Sequence, residues 1–175
     1  MEVKHNAQVL VGDYQFADKV KEQVESLLKV STSIPHTNVR AFHTVWDWEP
    51  DNITFRNLKS YIREEVEKVF QPGRMAGGTR HVLECTNFWA NVYKKGDYAQ
   101  PHDHKPWVIS FAYFVKAKWY DSPLIFVDSG KRIRPKEGRF VAFPSYLMHS
   151  VPKHRYNDTR ITVSGNYLLH PIDEE

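Results

Sequence analysis

The chain has 175 residues, of which 41% are hydrophobic and 14% aromatic, with a formal net charge of +3 and acids and bases interspersed. That length and apolar content suit one domain with a substantial core, and so small a charge gives no clear nucleic-acid signature. The single cysteine, Cys85, excludes an intramolecular disulfide and a thiolate zinc cluster, and no apolar run approaches the ~18 residues of a membrane span.

The N-terminal Met1-Glu2-Val3-Lys4-His5-Asn6 carries no apolar stretch of signal-peptide type, so a cytoplasmic setting is expected. A helical pattern opens at Asp13, the expected N-cap, and runs to about Val30. Leu10, Phe16, Val20, Val24, Leu27 and Leu28 form its apolar stripe. A strand is expected over Val39 to Val45. A second helix reads from about Thr54 to Phe70, because Phe55, Leu58, Ile62, Val66 and Phe70 recur at three- and four-residue steps.

After Gln71-Pro72-Gly73 the pattern changes to strands, over 81–93, 107–119, 123–128, 139–143, 146–151 and 159–168. Lys95-Gly96-Asp97 and Ser129-Gly130-Lys131 are turn candidates. Two helices followed by six strands make a mainly β chain with N-terminal helices, a β-sandwich or jelly roll braced on one face. One domain over 1–175 is expected, with a helical support region over 1–72 and a barrel over 80–170.

His102 and His104 sit two apart near the head of an apolar strand, and His149 ends a second one. Strand alternation puts His102 and His104 on one face and Asp103 on the other. A turn at that point would break the alternation, which keeps Asp103 open as an alternative to His104. Histidine is the commonest metal side-chain ligand, so the spacing fits a mononuclear site; it fits a surface His-x-His pair as well.

Further on, Arg160, Thr162, Ser164 and Asn166 alternate onto one face, opposite Ile161 and Val163. An arginine among hydroxyls and an amide suits a carboxylate pocket, through the guanidinium fork. The same alternation fits the exposed face of an edge strand. Trp89, Asn91 and Tyr93 also share a face, and Asn91 and Tyr93 could donate to a small acid if that face looks inward. Trp107, Phe111, Tyr113 and Trp119 are available to wall a cavity. Ser110 is small enough to line one. Loops over 30–38, 71–79 and 153–158 could shape its entry, the last being basic in Lys153-His154-Arg155-Tyr156.

Taken together, Trp89-Ala90-Asn91-Val92-Tyr93-Lys94-Lys95-Gly96-Asp97-Tyr98, His102-Asp103-His104, Ser110-Phe111-Ala112-Tyr113-Phe114, Glu137-Gly138-Arg139-Phe140-Val141-Ala142-Phe143-Pro144-Ser145, His149-Ser150-Val151-Pro152 and Arg160-Ile161-Thr162-Val163-Ser164 form a recognisable series. In order and spacing it resembles the 2-oxoglutarate/Fe(II)-dependent oxygenases, in particular the small prolyl-hydroxylase-like group found in phages and marine bacteria. The resemblance spans roughly residues 85–168.

It implies a double-stranded β-helix fold with His102 and His149 on iron. Arg160 would hold the distal carboxylate of 2-oxoglutarate, and Asn91 and Tyr93 would contact cosubstrate or substrate. Fe(II), 2-oxoglutarate and O2 are the implied cofactors, with ascorbate in support. The implied reaction hydroxylates a small-molecule or peptide substrate while 2-oxoglutarate is decarboxylated to succinate and CO2. A bacterial or phage-encoded cytoplasmic enzyme is expected. The superfamily pattern is His-x-Asp/Glu with a distal histidine, and this chain places His104 at the carboxylate position, as the phage-like group often does. A neutral imidazole there leaves one more positive charge on the metal complex. Two other readings fit the residues: a three-histidine cupin-like metalloenzyme that does not use 2-oxoglutarate, and a non-catalytic jelly-roll binding domain.

Overall fold

The computed structural model of the chain describes residues 6–70 and 80–172. Its first helix, α1 (Ala17–Leu28), starts later than the periodicity suggests, and Asp13 does not cap it. Leu10–Asp13 is a strand, β1, and the Asp13 carboxylate accepts hydrogen bonds from Lys136 Nζ and, at 3.1 Å, Arg139 Nε. A four-residue strand running into a helix leaves too short an alternation to separate from a helical stripe. Phe16 takes the cap position without a side-chain bond, while Val20 and Val24 are buried as expected.

The second helix, α2 (Ile53–Phe70), follows its pattern closely: Phe55, Leu58, Ile62 and Val66 are buried. Asn52 starts it, its Oδ1 accepting from the backbone N–H of Thr54 (3.0 Å) and Phe55 (3.3 Å). Between the helices only two-residue strands form, β2 (Val39–Arg40) and β3 (Phe42–His43). The expected longer strand is interrupted because the chain changes sheets there; β2 pairs with β5 (Tyr98–His102) and β3 with β4 (Arg80–Tyr93).

The remaining strands are β6 (Ile109–Lys116), β7 (Leu124–Phe126), β8 (Arg132–Ile133), β9 (Arg139–Pro144), β10 (His149–Val151) and β11 (Arg160–Ile172). β5 and β8 were not expected. β5, Tyr-Ala-Gln-Pro-His, has no apolar alternation to reveal it. All the paired strands are antiparallel, in a six-stranded sheet of order β1-β9-β6-β11-β4-β3 and a five-stranded sheet of order β2-β5-β10-β7-β8. This is a jelly roll braced by two helices. Among the described residues no helix is long and apolar enough to cross a membrane.

The larger sheet is covered on both faces. Phe88, Ala90, Val163 and Tyr167 join the buried residues of α1 and α2 in one core. Tyr93, Val141 and Phe143 meet Ala99, Leu124, Phe126 and Val151 of the smaller sheet in a second. Successive residues of β4 and β11 therefore go alternately to the helices and to the barrel interior. Gly165 sits where β11 passes close to its neighbours: a Cβ there would lie 2.5 Å from the Phe111 ring and 2.8 Å from the Asn87 carbonyl oxygen.

Candidate metal centre

Interior and helix-facing positions sort the polar residues of β11. Ile161 and Val163 belong to the helix-side core, and Arg160, Thr162, Ser164 and Asn166 line an interior cavity of ≈ 380 Å³. β11 lies between β4 and β6, so this polar face is not an exposed edge. Register completes the arrangement: Arg160 stands opposite Tyr93, and Thr162 opposite Asn91. Asn91 and Tyr93 line the same cavity. Its size lies in the range that takes small organic ligands, about 300–1,000 Å³.

His102, His104 and His149 converge at this cavity, each offering a ligand atom within 4.8 Å of the others. The convergence has a different origin from that expected. His102 ends β5, and His104 lies beyond it in a turn, where its backbone N–H donates to the Ser145 carbonyl (2.8 Å). His149 opens β10 directly opposite His102 in the ladder. Asp103 also lines the cavity where the turn breaks the alternation. Its carboxylate accepts from Lys105 Nζ at 2.9 Å and from the Lys105 backbone N–H at 3.2 Å, and it is not one of the converging ligand atoms.

Hydrogen bonds to backbone fix two of the imidazoles. His102 Nδ1 donates to the Gln100 carbonyl (2.6 Å) and His149 Nδ1 to the Leu147 carbonyl (2.8 Å). With the proton on Nδ1, each Nε2 keeps its lone pair for a metal. Nε2 of His104 and of His149 lie 3.2 Å apart. Two nitrogens about 2.1 Å from one ion and at right angles would be about 3 Å apart, so the spacing suits neighbouring ligands of one ion. Imidazole donors suit iron.

Electrostatics favour the unprotonated, ligand-competent forms. Burial, with His102 close by, pulls the His149 pKa down to about 4. Burial and the neighbouring His149 and His102 pull His104 down to about 2. His102 is lowered as well, again chiefly by burial.

Arg160 is 1% exposed, and its Nε and Nη1 have no hydrogen-bond partner. The guanidinium carbon lies 4.7 Å from the Tyr93 ring centroid and 5.2 Å from that of Phe114. Burial lowers its pKa, while the Tyr93 hydroxyl and the Asp121 carboxylate pull the other way. A buried guanidinium with free donors is costly unless an anion satisfies them. Asn91 Oδ1 and Asn166 Nδ2 are likewise buried and unpaired.

Several expectations change. Trp107 and Phe111 line the cavity, but Trp119 is 72% exposed and Tyr113 packs toward the helices. Ser110 does not line it; its Oγ bonds Ser145 Oγ (2.7 Å) and Asn166 Oδ1 (2.8 Å). The 71–79 loop lies outside the described residues. His154, read as part of a basic turn, is 1% exposed. Sequence reasoning missed His36, His43 and Trp46, which line the cavity in a ring cluster: His36 stacks on His43 with centroids 4.7 Å apart, and Trp46 meets Trp89 at 4.6 Å. His36 and Trp46 come from irregular chain, and His43 from the two-residue strand β3, too short for any periodicity to mark it.

Residues 129–166, which contain His149 and Arg160, match the model of a family described as "Putative 2OG-Fe(II) oxygenase". No curated protein matches the chain in sequence. Among solved structures, the fold is similar to the viral collagen prolyl hydroxylase of Paramecium Bursaria Chlorella virus-1 in its 2-oxoglutarate complex, with a TM-score of 0.69 and 14% identity over 91% of this chain and 94% of that one. It is also similar to a prolyl-4-hydroxylase of Pseudomonas putida, with a TM-score of 0.65 and 12% identity over 93% and 92%. HygX of Streptomyces hygroscopicus, solved with nickel and 2-oxoglutarate, gives a TM-score of 0.62 and 12% identity over 92% and 82%. Along its described length the fold is similar to those of these enzymes, and the segment that carries His149 and Arg160 matches the model of the 2OG-Fe(II) oxygenase family.

Proposed function

We propose that this chain is an Fe(II)- and 2-oxoglutarate-dependent hydroxylase acting on an amino-acid residue, free or within a peptide. The observation that carries the reading is the buried Arg160, whose unpaired Nε and Nη1 share one cavity with the three converging histidines. His102, His104 and His149 hold Fe(II), which when bound supplies the activation of O2 coupled to decarboxylation of 2-oxoglutarate to succinate and CO2. Arg160 anchors the distal carboxylate of the cosubstrate through its guanidinium fork. Thr162 and Ser164 hydroxyls and the Asn91 amide accept or donate the remaining bonds, and Tyr93 holds the guanidinium from beneath. Thus the protein binds, orients and shields, and the cofactor carries the difficult step.

A peptidyl or amino-acid substrate is supported by analogy: two of the similar structures are named prolyl hydroxylases, and another is a prolyl hydroxylase solved with a peptide fragment. His36, Trp46 and Trp89 line the cavity with rings inclined to one another, by 57° between His36 and Trp46 and 66° between Trp46 and Trp89, and give aromatic walls for such a ring or side chain. The test is turnover. Purified protein with Fe(II), ascorbate, O2 and 2-oxoglutarate should release succinate above a metal-free control; no succinate under any substrate screen contradicts the reading.

The all-histidine donor set favours a second reading, a three-histidine metalloenzyme that does not use 2-oxoglutarate. It differs on one point: Arg160 would then be dispensable for turnover.

A further inference from the structure

β3 places His43 at the wall of the histidine cavity, opposite Asn91 of β4 in the ladder. The side chain is fully buried. Its Nδ1 lies 2.5 Å from the Thr44 carbonyl oxygen. A carbonyl only accepts, so Nδ1 carries the proton and Nε2 keeps its lone pair. The ring stacks on His36, with centroids 4.7 Å apart and planes inclined by 19°, and on Trp89, at 5.9 Å and 16°. Trp46 meets it edge-on at 4.8 Å. Together these contacts fix the direction of Nε2.

Nε2 of His43 is buried without a hydrogen-bond partner, and such an orphan is uncommon. Neither the metal nor the cosubstrate supplies one. The converging metal-ligand atoms are those of His102, His104 and His149, and His43 is not among them. 2-Oxoglutarate brings two carboxylates and a keto oxygen, all acceptors, so it has nothing to donate. What remains is the prime substrate, which must bring a donor. Charge narrows the choice. Burial holds the His43 pKa down to about 4, so the imidazole is uncharged at neutral pH. Among the described residues lining the cavity the single carboxylate, Asp103, is already paired with Lys105, and Arg160 adds a positive charge. A cationic donor would find no free counter-charge there. An uncharged donor suits the site, and the one that every peptide carries is the amide N–H.

We infer that His43 is a specificity-determining residue of the prime-substrate site, where its Nε2 accepts a hydrogen bond from an uncharged amide N–H of the substrate beside the Trp46 and Trp89 rings. Calling that ligand the substrate rests on the hydroxylase reading above; the free acceptor does not. Substrate choice follows from it. A prolyl residue within a peptide has no N–H of its own, so the donor comes from a neighbouring backbone amide or from a side-chain carboxamide. To His43 the two are the same chemistry.

Four small amides separate the sources. N-acetylglycinamide carries both kinds of N–H, N-acetylsarcosine amide only the terminal carboxamide, and N-acetylglycine dimethylamide only the backbone N–H. N-acetylsarcosine dimethylamide has neither but keeps both carbonyls. The full chain, labelled at its histidine nitrogens for NMR and loaded with Zn²⁺ so that no turnover occurs, is titrated with each, with and without 2-oxoglutarate. The His43 Nε2 resonance should move upfield and saturate with at least one N–H-bearing amide, and stay in place with the fully methylated one. His43→Phe, which keeps an aromatic ring in the stack, should weaken binding of that amide by at least about threefold with an unchanged far-UV spectrum. A resonance that no N–H-bearing amide moves, as a fixed water would leave it, overturns the proposal. So does an equal shift with the fully methylated amide, or binding that ignores His43→Phe. Should that variant not fold, the spectra of the unaltered protein decide alone. Failure of 2-oxoglutarate to bind would count against the hydroxylase reading instead, and the titration without cosubstrate would still test His43.

Discussion

His149 stands directly across the β5–β10 ladder from His102, and both imidazoles donate Nδ1–H to a carbonyl two residues back in their own chain. The shared backbone partner geometry presents both Nε2 atoms to one point. His104 arrives from a turn pinned to Ser145, so its placement is less dependent on the ladder.

Removing ladder histidines should therefore abolish metal binding. His149→Ala is expected to lower Fe(II) affinity by at least about a hundredfold, since a ligand is lost outright and removing merely the hydrogen-bond partner of a ligand costs about 10–100-fold. Asp103→Asn should leave it within about threefold, because that carboxylate is held by Lys105. Anaerobic Fe(II) or Co²⁺ titration of the variants measures both.

Arg160 should matter to the cosubstrate and not to the metal. Arg160→Ala loses a charge-assisted pair worth about 1.5–3 kcal/mol, which is about 10–100-fold in the 2-oxoglutarate concentration needed. Fe(II) affinity should be unchanged. Unchanged 2-oxoglutarate affinity in the iron-loaded variant would refute the anchor assignment and favour the second reading.

Acid should destabilise the metal-free protein in a definite window. His149 and His43 are both held near a pKa of about 4, chiefly by burial, against an ordinary value of about 6.5. Between these values the unfolded chain takes up protons that the folded one refuses, so stability falls as pH drops from about 6.5 toward about 4. Thermal melts across that range, with metal chelated, should show Tm falling steadily; a flat Tm contradicts it.

A methyl group at Gly165 should be poorly tolerated. Its Cβ would stand 2.5 Å from Phe111 Cε1 and 2.8 Å from the Asn87 carbonyl oxygen. The ring can shift, but the carbonyl belongs to the neighbouring strand. Gly165→Ala is expected to cost about 1–3 kcal/mol, the usual range for overpacking, read from urea denaturation.

Much of this arrangement was legible in the chain, for identifiable reasons. β11 and β4 carry long alternations, which group Arg160, Thr162 and Ser164 on one face and Asn91 and Tyr93 on another. Which way those faces look depends on β11 being a central strand, and no local pattern encodes that. Strand alternation groups His102 with His104, yet His104 lies outside the strand; its meeting with His102 and His149 is set by the turn bonded to Ser145. His36, His43 and Trp46 join the cavity from a segment that changes sheets, and only the assembled barrel brings them near Trp89. Asp121 and His154 fell on loops whose sequence reads as ordinary polar turns; their burial comes from the two turns packing on each other.

The central claim is that the three histidines and Arg160 serve one iron-bound cosubstrate. Anaerobic titration of the Fe(II)-loaded protein with 2-oxoglutarate tests it most directly, by the metal-to-ligand charge-transfer absorption that appears when the cosubstrate chelates iron. The account predicts a saturable band that is lost in His149→Ala and shifted to higher 2-oxoglutarate concentration in Arg160→Ala. An iron-loaded protein that develops no 2-oxoglutarate-dependent band contradicts it.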